Sequence, residues 1–210
     1  RKPMKTAFAL ILFSAPAFAV DLQIDPNHSS ASFAVKHMMV STVRGTFGKV
    51  TGKVSYDPKD PTKSAAVIEI DPASIDTRNE KRDGHLKSAD FFDVQKCPDM
   101  TFKSTRIEKA PDNHYRVTGD LTMHCTTKPV TLDVESFNGP VKGPQGANLY
   151  ASTATGKLNR KDFGINWNKA LEAGGVVVGD DILMTVELEM NDSPAAARKE
   201  AQAESKPQNK

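Results

Sequence analysis

The chain has little with which to build a metal or catalytic centre. It holds two cysteines, Cys97 and Cys125, with no C-x-x-C pair, and its five histidines include no H-x-x-x-H spacing. The usual zinc and haem attachment patterns are therefore missing. No G-x-S-x-G, Walker loop or dinucleotide fingerprint occurs, which removes the common signatures of hydrolases, nucleotide binders and dehydrogenases. A membrane-length apolar run is also lacking. The N-terminal one, Thr6 to Phe13, is short of the ~20 residues a bilayer requires. There is no large excess of charge of one sign. The formal net charge is +2, and setting aside Arg1, Lys2 and Lys5 leaves 25 basic against 26 acidic side chains, a net of −1. A near-neutral chain carries no electrostatic footprint for nucleic acid.

The N-terminus has the organisation of a targeting segment. Met4-Lys5 supplies a start and positive charge, the short apolar run follows, and Ala17-Phe18-Ala19 is a small-x-small cleavage site. This predicts a cleaved signal peptide over residues 1–19, with 1–3 as an upstream extension, and hence an exported protein. No cysteine follows the cleavage site, so a lipoprotein anchor is not expected. From residue 193 to 210 the chain is Ala, Lys, Arg, Glu, Gln, Asn, Ser and Pro without a large apolar residue. Such a segment buries too little to offset its ordering entropy and reads as a mobile charged tail. Residues 20–192 remain as one domain.

Within that domain, period-2 alternation recurs. Ala31, Phe33, Val35 and His37 share one face; Val50, Gly52, Val54 and Tyr56 another; Tyr115, Val117, Gly119, Leu121, Met123 and Cys125 a third. Met100 with Phe102, Val130 with Leu132 and Val134, and Ile182 through Met190 behave likewise, with Thr, Lys, Asp and Glu between them. Turn residues separate these runs at Asp57-Pro58, Asp71-Pro72, Pro111-Asp112-Asn113, Asn138-Gly139-Pro140 and Gly143-Pro144. Strands with one polar face imply an antiparallel sheet wetted on one side. About eight of them suit an up-and-down barrel, with a two-sheet sandwich as the alternative. The polar outer faces argue against an outer-membrane barrel, whose outward band is apolar. A barrel of this size either fills with side chains or holds one small ligand. The inward Gly52, Gly119 and methionines leave room and adapt to irregular volume.

The stretch from Ser74 to Asp93 breaks the alternation. It gathers Arg82, Asp83 and His85 in a short helical segment near residues 78–92, then runs into Phe91-Phe92. Arg82 and His85, three apart, share a helix face and suit an anionic or carbonyl head group, although a solvated helix surface accounts for them equally. Asp76 or Thr77 is placed to cap the helix, and the two phenylalanines to cap the core. His37 is a lone inward histidine, either a satisfied core group or a functional one. Arg160-Lys161-Asp162-Phe163-Gly164, followed by Trp167, forms a second non-strand segment, read as a salt-bridged turn with an aromatic plug. In an exported chain two cysteines suggest one disulfide, yet alternation turns Cys125 inward, where free thiols are common.

Taken in order, these motifs resemble the YceI-like family of periplasmic polyisoprenoid-binding proteins. The resemblance rests on Asp25-x-x-His28-Ser29 leading to Phe33-x-Val35-Lys36-His37; Gly45-x-Phe47 with Gly52; Ser74-Ile75-Asp76-Thr77; and Arg82-Asp83-x-His85-Leu86-x-Ser88-x-Asp90-Phe91-Phe92-Asp93. Pro98-x-x-Thr101-Phe102-x-Ser104, Gly119-Asp120-Leu121-Thr122, Lys128-Pro129-Val130 and Arg160-x-Asp162-Phe163-Gly164 continue it. It implies a mainly β, antiparallel, lipocalin-like barrel with an internal apolar tunnel, located in the periplasm. A long isoprenoid or similar amphiphile (polyprenyl phosphate, quinone or fatty amide) is then the implied ligand, with no other cofactor. Phe33, Val35, Phe47, Phe91, Phe92, Phe102, Leu121, Met123 and Trp167 are the candidates for the lipid tail. His37, Arg82 and His85 are the candidates for its polar end. The family pattern has Tyr and Gly where this chain has Cys97 and Cys125, and the paired departure favours a disulfide between them. An enzyme acting on such a lipid through a histidine acid/base is the alternative to a carrier, as is delivery of quinone to a membrane cytochrome or other inner-membrane partner. A homodimer is compatible with any of these.

Overall fold

A computed structural model describes residues 19–143, 146–172 and 174–192. The expected signal peptide, save Ala19, and the tail at 193–210 lie outside the described residues. Twelve strand segments occur among them. The first six are β1 (Val20–Ile24), β2 (Ser30–His37), β3 (Ser41–Phe47), β4 (Val50–Tyr56), β5 (Ala65–Ile70) and β6 (Ile75–Asp76). After a helix, α1 (Glu80–Lys87), come β7 (Met100–Lys109), β8 (His114–Met123), β9 (Thr126–Glu135), β10 (Asn138–Lys142), β11 (Asn148–Asn159) and β12 (Val178–Asn191). All pairings are antiparallel, in the order β10-β11-β9-β8-β7-β5-β4-β1-β12-β2-β3-β6 with β11 also on β12. The twelve segments reduce to eight barrel strands, because β1/β2, β3/β4, β5/β6 and β9/β10 are each one strand with a bend. β12 pairs with β11 from Leu149↔Asn191 to Asn159↔Asp181, and its other edge takes β2 and then β1. The sheet is thereby closed as an up-and-down barrel, and the sandwich alternative falls away.

The bends are where serines stand in for the ladder. At the β1/β2 bend, Ser29 Oγ donates to the Glu189 carbonyl at 3.2 Å and accepts from the Glu189 N–H at 3.0 Å. At the β3/β4 bend the Gly48 N–H donates to Ser74 Oγ, 3.1 Å. At the β9/β10 bend Ser152 Oγ donates to the Glu135 carbonyl, 2.8 Å. Each hydroxyl pairs with a backbone group where the strand turns, so the strands change direction at little cost. Asn138-Gly139-Pro140, read as a turn, is instead the start of β10, with a cis Gly139-Pro140 bond.

Inside, Leu22, Val50, Met190, Val54, Ile68, Val117 and Leu132 form the buried core with the phenylalanines. The glycines read as leaving room do not. Gly52 sits at a φ of +137° where a Cβ would collide with the Val67 carbonyl. Gly119 is the seat of the Phe102 ring: a Cβ there would meet Phe102 Cζ and stand 2.5 Å from the Lys103 carbonyl oxygen. Gly45 accommodates Phe33 Cζ in the same way, 2.5 Å from the Cβ position, and Gly156 accommodates Leu132 Cδ2 at 2.6 Å. Gly45, Gly119 and Gly156 are thus each matched by a large side chain from the neighbouring wall, which keeps the interior close-packed.

These seats differ in what can yield. Gly119→Ala forces backbone as well as side chain and is expected to cost ~1–3 kcal/mol. Gly156→Ala meets only the flexible end of Leu132 and should cost less than ~1 kcal/mol. Denaturant unfolding of the two variants checks the order; equal losses would contradict it.

Candidate functional site

In an up-and-down barrel the connections alternate between ends. One end receives the β2–β3 turn, residues 77–99, the β8–β9 turn and residues 160–177. Beneath it lies an apolar cavity of about 130 Å3. Phe33, Val35, Phe47, Phe92, Leu121 and Met184 are among its walls, and Ser32 and Arg160 are its polar members. A second apolar compartment of about 90 Å3 lies further along the barrel, bounded by Phe102, Val117, Leu132, Phe137 and Leu188. Along β8 the first compartment is lined at Leu121 and the second at Val117, with Gly119 between; along β11 the pair is Leu158 and Ala154, with Gly156 between. Phe102 and Leu132, the two side chains seated on those glycines, line the second compartment and stand at the level of the partition between the two.

The closure over the first compartment is built from the Ser74–Asp93 stretch. Helix α1 is capped by Asn79, whose side chain accepts from the Arg82 N–H at 3.0 Å, rather than by Asp76 or Thr77. Arg82 turns back on Thr77: Nε donates to Thr77 Oγ1 and Nη2 to the Thr77 carbonyl, both 2.7 Å. Asp83 takes the Thr77 N–H at 2.9 Å and its hydroxyl at 2.5 Å. Thr77 is buried, so this clamp satisfies polar groups that water does not reach. His85 Nε2 contacts Asp90 Oδ2 at 2.8 Å, and its ring stands edge-on to Phe91 and to Trp167, with centroids 5.0 and 4.9 Å apart. Leu86, Phe91 and Phe92 then face the cavity.

Two further ties hold this end together. Cys97 and Cys125 form a disulfide with Cα atoms 5.3 Å apart, joining the end of the helical segment to the β8–β9 turn. The inward placement expected for Cys125 is corrected: β8 ends at Met123, and His124 and Cys125 form a hairpin turn at φ of 51° and 55°, leaving Cys125 exposed. Alternation fails there because both residues are in the left-handed region. The other tie is Arg160, 3% exposed. Its Nε donates to the Gly179 carbonyl at 2.9 Å, and Nη1 donates to Ile165 and Trp167 carbonyls at 2.7 and 2.9 Å. Nη2 reaches the Val178 carbonyl and Asp180 Oδ1. Burial lowers the pKa of Arg160 from the ordinary arginine value, opposed by Asp180. Phe163, fully buried, plugs the same turn, and its carbonyl meets His124 Nδ1 at 2.9 Å.

Of the residues singled out for the tail, Phe33, Val35, Phe47, Phe91, Phe92, Leu121 and Met123 come together around the first compartment, and Phe102 borders the second. Trp167 lies in the closure, edge-on to His85 and tilted against Phe91. His37 ends β2, paired with Ser41 and Val178, and is not among the lining residues of either compartment. Arg82 and His85 are not either; their polar atoms engage the closure itself. Arg160 was visible as part of a motif but not as a cavity residue, since its partners lie 5 to 20 residues away.

A family model described as the YceI-like domain matches residues 22–190. A UPF0312 protein of Staphylococcus aureus (strain MSSA476) is 42% identical over 159 residues, covering 75% of this chain and 90% of its own length. Among solved structures, Burkholderia cenocepacia BcnA superposes with a TM-score of 0.68 at 26% identity, covering 79% of this chain and 98% of that one. The Campylobacter jejuni YceI protein gives 0.62 at 28%, covering 90% and 99%. A domain from Saccharophagus degradans described as polyisoprenoid-binding shares the fold, with a TM-score of 0.60 at 14% identity over 82% of this chain and 98% of that one.

The ties can be ranked by removal. Cys97→Ser/Cys125→Ser frees a loop of 28-residue separation and is expected to lower unfolding free energy by ~3–4 kcal/mol in guanidinium titrations. Arg160→Lys keeps the charge but cannot serve carbonyls on several sides. It should cost ~2–4 kcal/mol and raise amide exchange in residues 165–179; unchanged protection there would refute the role assigned to Arg160.

Proposed function

The chain belongs to the YceI-like family, and from that premise we propose that it is a carrier holding the apolar chain of an isoprenoid or similar amphiphilic lipid inside the barrel. The observation that carries this reading is the compartment beneath the closure, walled by apolar side chains from β2, β3, β5, β7, β8, β11 and β12. Burial of hydrocarbon there gains ~25 cal/mol per Å2 before the costs of binding. No catalytic step is assigned.

Volume and polarity narrow the ligand. Ligand pockets commonly measure ~300–1,000 Å3, and the two compartments hold about 130 and 90 Å3. A long chain must therefore use both, with Phe102 and Leu132 swung off their glycine seats so that the partition opens. Among the described residues the head group meets no unengaged cation within: the N–H groups of Arg160 face carbonyls and Asp180, and the Ser32 hydroxyl faces the Thr185 carbonyl. An unpaired buried phosphate would be costly. The tail enters and the head group stays at the rim, or is neutral, as in a quinone or amide. Arg82 and His85 then secure the closure over the tail. The signal-like N-terminus and the disulfide support a periplasmic location, an oxidising compartment where such a bond persists.

Protein purified under native conditions should release lipid to organic extraction, identified by mass spectrometry. Leu121→Asp should lose uptake of an added polyprenol or quinone, and Phe102→Ala should shift the recovered chains to greater length. Empty wild-type protein that takes up neither would end this reading.

A further inference from the structure

The β2–β3 hairpin breaks a rule that the β7–β8 hairpin keeps. Its turn places Met38 and Met39 at φ of 50° and 60°. Two consecutive left-handed residues define a turn that favours Asn, Asp and Gly, since a bulky side chain there is strained. The β7–β8 turn at the opposite end obeys the preference, with Asp112-Asn113 at 56° and 62°. The left-handed pair in the β8–β9 turn is accounted for by its disulfide. Nothing comparable explains two methionines at 38 and 39. They also fail to bury: Met38, Met39 and Val40 are 45%, 65% and 87% exposed. The other exposed large apolar residues among those described, Val67, Val141 and Leu183, are isolated. Scattered apolar residues are ordinary on a surface; three in a row at a tip are not.

The tip is held out by its surroundings. The Met38 N–H donates to the Val177 carbonyl at 2.8 Å, the Val40 N–H to the His37 carbonyl at 3.1 Å, and Met39 Cγ rests over Gly175. It stands at the closure end, three residues beyond the cavity-lining Val35. The hairpin that carries it has cations and no carboxylate. From residue 26 to residue 56 the chain contains no carboxylate, and Lys36 and Arg44 are exposed on β2 and β3. The loop it leans on adds the exposed Lys169, against one acid, Glu172. On the adjoining β12, Asp180 is engaged by Arg160 and Lys161 and Asp181 by Lys157. A protruding apolar tip on a hairpin whose own charges are cationic matches an anionic lipid surface: the apolar side chains enter the acyl boundary while the cations meet the head groups.

We infer that Met38-Met39-Val40 is a membrane-docking tip that seats the closure end of the barrel on an anionic bilayer. Its use in passing a lipid between bilayer and barrel rests on the carrier reading above; the docking itself does not. The test is flotation of the full chain with phosphatidylcholine vesicles, with and without phosphatidylglycerol. The N-terminal segment is common to all variants, so differences report the tip. Met39→Asp/Val40→Asp should lower the bound fraction roughly tenfold, with melting temperature and extractable lipid unchanged. Lys36→Glu/Lys169→Glu should abolish the preference for phosphatidylglycerol, and Leu183→Asp, on the barrel wall, should match the parent. Equal flotation of the parent and the double Asp variant overturns the proposal. So does a dimer in sedimentation that the double Asp variant breaks without loss of flotation, which would assign the tip to a second copy of the chain. An empty cavity in a chain that still docks would remove the carrier reading and leave the tip.

Discussion

β12 hydrogen-bonds to β11 along one edge and to β2 and β1 along the other, and this double pairing closes the sheet. A closed sheet has no exposed ladder at its closing strand, and it obliges every inward side chain to share one axis. The rest follows. Bends must occur where strands are too long to stay straight, so backbone groups at the bends are met by Ser29, Ser74 and Ser152. Large inward side chains must be accommodated by the opposite or neighbouring wall, so Phe33, Phe102 and Leu132 are matched to Gly45, Gly119 and Gly156. What is left after this matching is two apolar compartments rather than one filled core.

The two ends of the barrel are finished differently. The end bearing Asp112-Asn113 uses a tight polar turn of the expected kind. The other end carries the helix, the aromatic plug of Phe91 and Trp167, a disulfide and a buried arginine. Several of its charged groups serve the closure. Arg82 and Asp83 hold Thr77, and Arg160 gathers carbonyls from residues 165 to 179. Polar chemistry is concentrated where the chain must cover an apolar space without regular hydrogen bonding, because loops over such a space have backbone groups that neither ladder nor water satisfies. That arrangement keeps charge at the rim and hydrocarbon below it.

Much of this was legible in the chain. Alternation from Ala31 to His37 and from Tyr115 to Met123 marked strands and their inward faces, because side chains on a strand alternate by geometry. Seven of the residues expected to meet a lipid tail do converge on the first compartment. The limits were equally physical. Cys125 appeared inward because period 2 was carried one residue too far, into a turn. Arg82 and His85 appeared free because a helix-face argument sees neighbours three apart, not Thr77 or Trp167. Gly119 appeared to leave space because a sequence does not show which ring occupies it.

By itself the sequence determined the strands, their polar outer faces, the break at Ser74–Asp93 and the family, since these depend on local periodicity and on motifs in order. Only the tertiary structure decided which side chain fills which glycine seat, that Arg160 faces the cavity, that Arg82 clamps Thr77, and that Met38-Met39-Val40 is left outside. Those outcomes depend on distances between residues far apart in the chain, which barrel closure sets and local pattern does not encode.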